Sequence, residues 1–369
     1  MTEPSQDISK VYPIVSRILA STGAEVKMGG LIEDDQTYAH GEQTTFTWNY
    51  ATSKPGVRRL YGLGKDLQWK AEDLPWDTDV DLEKEMFDAD PGWLEAGWYK
   101  KLTKTERNRL IVEYNTNLVS NFVHGEQGAL IAASQLISAV PSMDAKFYAA
   151  TQSMDEARHV EVFSRYLHEK MGGGYEVTQN LFNLLQAITI ESRWDFKFLG
   201  MQLIVEGLAL SAFMHMSRRC HEPLLKYLIR MVLQDESRHV AYGVLALKDF
   251  YKDMNEKDRQ ERQEFIYEAT LMMKNRLISS RIFERMGLDR QLVAESMRDS
   301  AESRNFTNLL YANVVPNMKK IGLLDGFLEK KFAEMDILKF QDVDTEGIIT
   351  GFIAREDAER AKQQGKAKA

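Results

Sequence analysis

Six side chains suited to holding metal ions occur in two matching sets in this 369-residue chain. The first is Glu126, Glu156 and His159; the second is Glu206, Glu236 and His239. Each member of the second set lies 80 positions after its counterpart in the first. Within each set the later glutamate and the histidine form E-x-x-H, a spacing that puts both on one face of a helix, one turn apart. Each such pair can grip one ion. Carboxylate oxygens with imidazole nitrogens suit iron or manganese better than zinc, which favours fewer, tetrahedral ligands. Four glutamates gathered in one core would repel strongly. Two divalent cations carry the charge that cancels them.

The chain between these residues says how they meet. Each lone glutamate precedes its E-x-x-H partner by 30 positions. The first interval is centred on Pro141; the second is centred on His221, two residues before Pro223. Proline stops a helix there, so each half reads as a helical hairpin with equal arms. About fifteen residues place each ligand roughly 22 Å from the bend. Two hairpins face to face make a four-helix bundle. Asp155 with Arg158 and Asp235 with Arg238 repeat at the same offset. A metal-bound histidine usually donates its other N–H to a carboxylate. Asp155 and Asp235 are therefore expected to serve the histidine of the opposite hairpin, with Arg158 and Arg238 paired to them. The alternative for these four is a set of surface ion pairs.

Helices are expected from Thr105 to about Ala139, from Met143 to Met171, from 191 to 219 and from 223 to 253. A connecting helix is expected from Tyr175 to Thr189, with flanking helices from 259 to 345. The chain divides into an N-terminal extension (1–100), a helical metal-binding domain (101–345) and a mobile tail (346–369). The extension holds Trp48, Trp69, Trp76, Trp93 and Trp98, five of the six tryptophans. They read as packing of a wrap on the bundle, with a redox role for Trp69 or Trp76 as the alternative. Small residues beside Glu126 (Gly125, Gly128, Ala129, Ala132, Ala133) allow either a cavity or close helix packing. The remaining histidines, His40, His124, His168, His215 and His221, read as structural or exposed. The net charge of −8 is spread over mixed acidic and basic residues, which gives no reason to expect nucleic acid binding. The single Cys220 excludes an internal disulfide and a cysteine metal site, and fits a reducing cytoplasm. The first residues are polar, without a signal peptide pattern, and no apolar run of ~18–20 residues suggests a membrane span.

At these motifs the sequence resembles the non-heme di-iron carboxylate proteins of the ferritin-like superfamily, over roughly residues 105–250. It is similar to their O2-activating branch: ribonucleotide reductase small subunits, monooxygenase hydroxylases, acyl-carrier-protein desaturases and aminobenzoate N-oxygenases. The resemblance implies an all-α fold, a ferritin-like four-helix bundle with additional flanking helices and an N-terminal wrap. It implies Glu126, Glu156, His159, Glu206, Glu236 and His239 as ligands of two Fe ions, with Mn possible at one or both positions. Glu156 and Glu236 would bridge or shift. The activity implied is an oxygenase or oxidase using O2 as co-substrate on a small or hydrophobic organic molecule. Leu130, Phe163, Leu208, Leu210 and Phe213 are candidates to line its pocket. An electron-donor reductase or ferredoxin and a homodimer are implied as well. The alternatives are a ferroxidase or iron-handling protein, and a ribonucleotide reductase-like small subunit. Four positions depart from the patterns within the branch. Phe163 stands where reductase subunits carry the radical tyrosine. Leu210 and Ala209 stand where hydroxylases and desaturases carry a threonine. Val232 stands where aminobenzoate N-oxygenases add a third histidine.

Overall fold

The structure is a computed structural model that describes residues 8–23, 44–89, 91–94, 96–275, 280–289, 291, 293, 308–351, 353, 354 and 358. Among the described residues there is no strand, only an isolated bridge between Phe87 and Cys220. The elements used below are α1 (Pro13–Ala20), α2 (Pro55–Asp66), α3 (Lys104–Ala139), α4 (Met143–Lys170), α5 (Gln179–Ile190), α6 (Trp194–Arg219), α7 (Pro223–Leu247), α8 (Glu256–Asn275) and α9 (Gly326–Glu334).

Local sequence sets the ends of the ligand helices. Thr103 and Glu106 close a reciprocal capping box at the start of α3. Ser142 accepts the Ala145 N–H at the start of α4. Gly172 and Gly173, with φ of 75° and 131°, end α4 in a conformation that favours glycine. Pro223 opens α7, and the Glu222 carboxylate accepts the N–H groups of Leu224 and Leu225 at 2.7 and 2.6 Å. The two bends therefore fall at Pro141 and just before Pro223, where the sequence places them. α7 stops at Leu247, six residues short of the expected 253. Lys248 turns extended there and Asp249 takes a φ of 64°.

Close helix contact explains Gly128 among the small residues near Glu126, and Gly200 on α6. A Cβ on Gly128 would lie 2.5 Å from Leu185, and one on Gly200 would lie 2.5 Å from Ile188. Gly128, two residues after Glu126, thus serves packing against α5, whereas a Cβ on Gly125, directly beside Glu126, would meet nothing within 4 Å. α2 lies across α4 and α7, with Gly64 against Thr151 and Gly56 against Leu245. α1 is held to α8 by Glu268, whose carboxylate accepts the Ile14 and Val15 N–H groups, each at 2.9 Å.

The expectation that no apolar run reaches membrane length fails for α6. Its 26 residues, Trp194–Arg219, are long and apolar enough by composition. Of the apolar window, 89% is buried inside the protein, so this apolarity belongs to the middle of the bundle. α6 also contains a π-helical stretch, Leu199–Val205, immediately before Glu206. Such a wide turn often marks a functional site, and a plain helical reading of 191–219 misses it. Beyond α9, Ile349 is buried within the stretch expected to be mobile. Most of the rest of that tail (355–357 and 359–369), like His40, lies outside the described residues.

Candidate metal centre

Four helices converge on one buried cluster. α3 supplies Glu126, α4 supplies Glu156 and His159, α6 supplies Glu206, and α7 supplies Glu236 and His239. Glu156, His159, Glu236 and His239 are fully buried; Glu126 and Glu206 are 5% and 2% exposed. His159 Nδ1 lies 3.0 Å from Glu236 Oε1 and 3.4 Å from both Glu126 Oε2 and Glu156 Oε2. His239 Nδ1 lies 3.1 Å from Glu156 Oε1 and 3.5 Å from Glu236 Oε1. Glu156 and Glu236 therefore sit between the two imidazoles, each touching both. The donor atoms form two groups, each gathered within 4.8 Å: Glu126, Glu156, His159 and Glu236, and then Glu156, Glu206 and His239.

The polar atoms at the centre of this cluster lack hydrogen bonds. Glu156 Oε2, Glu206 Oε2, both Glu236 oxygens, and Nδ1 of both histidines are buried without a partner. Buried polar groups are normally satisfied, and one left unmade costs roughly 1–3 kcal/mol. Orphans converging from three helices, α4, α6 and α7, fit cations held between them. Electrostatics points the same way. Burial, then the charge of Glu236, pushes Glu126 well above the usual carboxylate range. Burial, then Glu236 and Glu156, does the same to Glu206. Against the cost of burial, the nearby histidines hold Glu156 low. Divalent ions supply the positive charge that lets all four ionise together.

The aspartates cross over between hairpins. His159 Nε2 lies 3.1 Å from Asp235 Oδ2, and His239 Nε2 lies 3.3 Å from Asp155 Oδ2. Arg158 reaches Asp155 at 2.6 Å and Asp235 at 3.0 Å; Arg238 pairs with Asp235. Both aspartates are fully buried and both arginines nearly so, so these are not surface ion pairs. Such contacts fix each ring with Nδ1 aimed into the cluster. Burial opposes ionisation of Asp235, and the His159 and arginine contacts outweigh it, holding the group below its usual range.

Reading the motifs alone misses several participants. Trp69 Nε1–H donates to Asp235 Oδ2 at 2.7 Å, and the Arg158 guanidinium lies 4.5 Å above the Trp69 ring. Gln68 donates to Asp155 at 2.8 Å and accepts from Arg158 at 2.7 Å. The turn after α2 thus plugs the aspartate pair. Gln152 donates its amide to Glu156 at 3.0 Å and to Glu206 at 2.9 Å. Gln202, in the π-helical stretch, donates to Gln152 at 3.4 Å. Gln152 and Gln202 each lie four residues before a cluster glutamate, a sequence signal that was available. Gln68 and Trp69 carry no such spacing.

An aromatic pack closes the opposite end. Phe122 lies 5.7 Å from Phe163 and 4.5 Å from Phe213, and Phe163 lies 5.8 Å from Phe213. Leu208 and Leu210 are also buried, and Leu130 is half-buried. The other described histidines are elsewhere. His124 bonds to Tyr175 O, His168 to Ser164 O, His215 to Arg219 and His221 to Asp88.

Residues 53–322 match the family described as P-aminobenzoate N-oxygenase AurF. No curated protein matches the chain. Among solved structures, dimanganese(II)-NrdF of Streptococcus sanguinis is similar at 12% identity and a TM-score of 0.50, over 75% of this chain and 91% of that one. An R2-like ligand-binding oxidase with a Mn/Fe cofactor is 17% identical over 72% of this chain and 93% of its own, with a TM-score of 0.47. The R2-like ligand-binding oxidase of Sulfolobus acidocaldarius is 20% identical over 71% and 90%, with a TM-score of 0.41. The first of these likenesses shows the ferritin-like helical fold.

Proposed function

The chain belongs to the P-aminobenzoate N-oxygenase AurF family, and we propose from that membership that it is an O2-dependent oxidoreductase with two iron or manganese ions. Its substrate is a small organic molecule, with an amine nitrogen as the group oxidised. The observation that supports this most is the set of oxygens and nitrogens without a hydrogen bond that three helices, α4, α6 and α7, aim at one buried point. Glu126, Glu156, His159 and Glu236 would hold one ion, and Glu156, Glu206 and His239 the other. When bound, the ions supply the redox and Lewis-acid chemistry for reducing O2.

The protein's own residues prepare that centre. Asp235 and Asp155 orient the imidazoles through Nε2 and keep Nδ1 free of protons for ligation. Arg158 and Arg238 balance the aspartate charge, so the buried pair tolerates being ionised. Phe122, Phe163 and Phe213 exclude water from one side and form the apolar wall against which a substrate would lie. Val232 is buried where the resemblance implies a third histidine, so the centre of this chain has two imidazoles. Each turnover after the first needs electrons that the chain cannot supply, so the reading includes an electron-donor reductase or ferredoxin. It also includes a homodimer.

The test loads the purified protein with ferrous iron without oxygen, then adds O2 with and without p-aminobenzoate and related amines. O2 uptake coupled to oxidation of the amine nitrogen supports the reading. No O2 uptake by the iron-loaded protein would remove it.

A further inference from the structure

The two halves of the cluster match at every charged position and differ one turn away. At the 80-residue offset, Gln152 corresponds to Val232, and Phe122 corresponds to Gln202. Gln152 is fully buried. Its Nε2 lies within hydrogen-bond distance of Glu156 Oε1 and Glu206 Oε1, so each of its two N–H groups has one carboxylate to serve. Gln202 donates to the Gln152 carbonyl and fixes which way the amide faces. Val232 offers no donor, so the other half has no counterpart to this tie. The carboxylates that Gln152 ties are the two that share a donor group with His239. That group has two carboxylates and one imidazole, whereas the Glu126 group has three carboxylates and one imidazole.

Resting on the two-ion reading above, we propose that the two positions fill unequally and that Gln152 is the positioning residue for the weaker one. The Glu126–Glu156–His159–Glu236 position fills first, because Glu236 Oε1, although it reaches both imidazoles, lies 3.0 Å from His159 Nδ1 and 3.5 Å from His239 Nδ1 and so adds its charge chiefly to that side. The second ion depends on Glu206, which leaves the end of the π-helical stretch and keeps one oxygen without any partner. Unrestrained, the Glu206 and Glu156 carboxylates repel each other. The shared amide holds them side by side and organises them in advance for the second ion. The first position does not use Glu206 and meets Glu156 through Oε2, the oxygen that Gln152 does not bond, so it responds little to this restraint.

The experiment is an oxygen-free titration of the metal-free, full-length protein with Mn2+. Free ion is followed by electron paramagnetic resonance and heat by calorimetry. The wild type is expected to bind two ions in two resolved steps. Gln152→Met keeps the length and removes both donors. It should weaken the second step by about tenfold or more and leave the first within about twofold, the range that supporting hydrogen bonds around metal ligands command. Gln152→Asn keeps the amide but shortens it so that it cannot reach both carboxylates, adds no charge, and should move the same step in the same direction even if the methionine variant folds poorly. Equal steps in the wild type, a shift in the first step, a tighter second step, or no shift would each overturn the proposal. Fewer than two ions in the wild type would instead sink the two-ion reading on which it rests.

Discussion

In the α3–α4 hairpin the turn before E-x-x-H carries Gln152; in the α6–α7 hairpin the same turn carries Val232. The six proposed ligands, Glu126 with Glu206, Glu156 with Glu236 and His159 with His239, are identical in kind. A pair of cations demands the same donors on both sides but demands nothing one turn away, where the halves have diverged. The divergence sorts by direction along the helices. Gln152 precedes Glu156 and Gln202 precedes Glu206, whereas Phe163 follows His159 and Phe213 follows Glu206. One end of the centre is therefore tied by amides and the other is walled by phenyl rings. The aspartates differ too. Asp235 is held by His159, Arg158, Trp69 and, at 2.5 Å, Arg238, while Asp155 is held by His239, Arg158, Gln68 and, at the longer 3.6 Å, Arg238.

The largest effect should come from the residues the halves share. Glu236→Ala removes a carboxylate that touches both imidazoles, so uptake of both ions and all O2-dependent turnover should be lost, as metal analysis and oxygen uptake would show. Retention of two ions by this variant would break the equivalence of Glu236 and Glu156. Next come the aspartates. Asp235→Asn and Asp155→Asn should each weaken metal binding, by roughly 10–100-fold, with Asp235→Asn the more severe because Arg238 bonds Asp235 at 2.5 Å and stands 3.6 Å from Asp155. An equal loss in direct titrations would mean that the plug after α2 does not distinguish the halves.

Acid separates the hairpins in another way. His215 on α6 corresponds to Gln135 on α3, which does not titrate. Burial, then the charges of Arg219 and Arg218, lowers His215 to about 4 from 6.5. A lowered histidine stabilises the fold fully above its unfolded value. That contribution, up to about 3 kcal/mol, is lost as pH falls from 6.5 through about 4. His215→Gln should flatten the decline of stability between pH 7 and pH 4 in denaturant titrations; an unchanged slope would assign the acid sensitivity elsewhere. The smallest effect expected is that of Trp69→Phe, which deletes one hydrogen bond to Asp235 and costs about 1 kcal/mol. The cost should fall on the His159 side alone, read as a change in the first metal-binding step.

The sequence made the bundle and the clustering of the six side chains legible because both depend on repetition. An offset shared by five residue pairs, together with prolines midway between ligands, is a pattern that chance rarely produces. The crossing of Asp235 to His159 and of Asp155 to His239 followed from the same symmetry. What stayed hidden is what the repeat does not carry. Gln68 and Trp69 reach the aspartates from a loop roughly 90 and 170 residues away in sequence, with no spacing to announce them. Gln152 and Gln202 sat at helical spacing from ligands but looked like ordinary amides in apolar runs. The π-helical stretch before Glu206 lies in close packing, with Gly200 against Ile188 and Gly243 against Gln202 and Leu203, and local propensity did not mark it. The apolarity of α6 was underestimated because Gln202 and Glu206 interrupt it.

The most direct test of the account is diffraction from crystals of the iron-loaded protein, with anomalous scattering recorded at the iron edge. Two iron peaks per chain are predicted, one against Glu126 and His159, one against Glu206 and His239, with Glu156 and Glu236 between them. A single peak, or iron bound away from these six side chains, would contradict it.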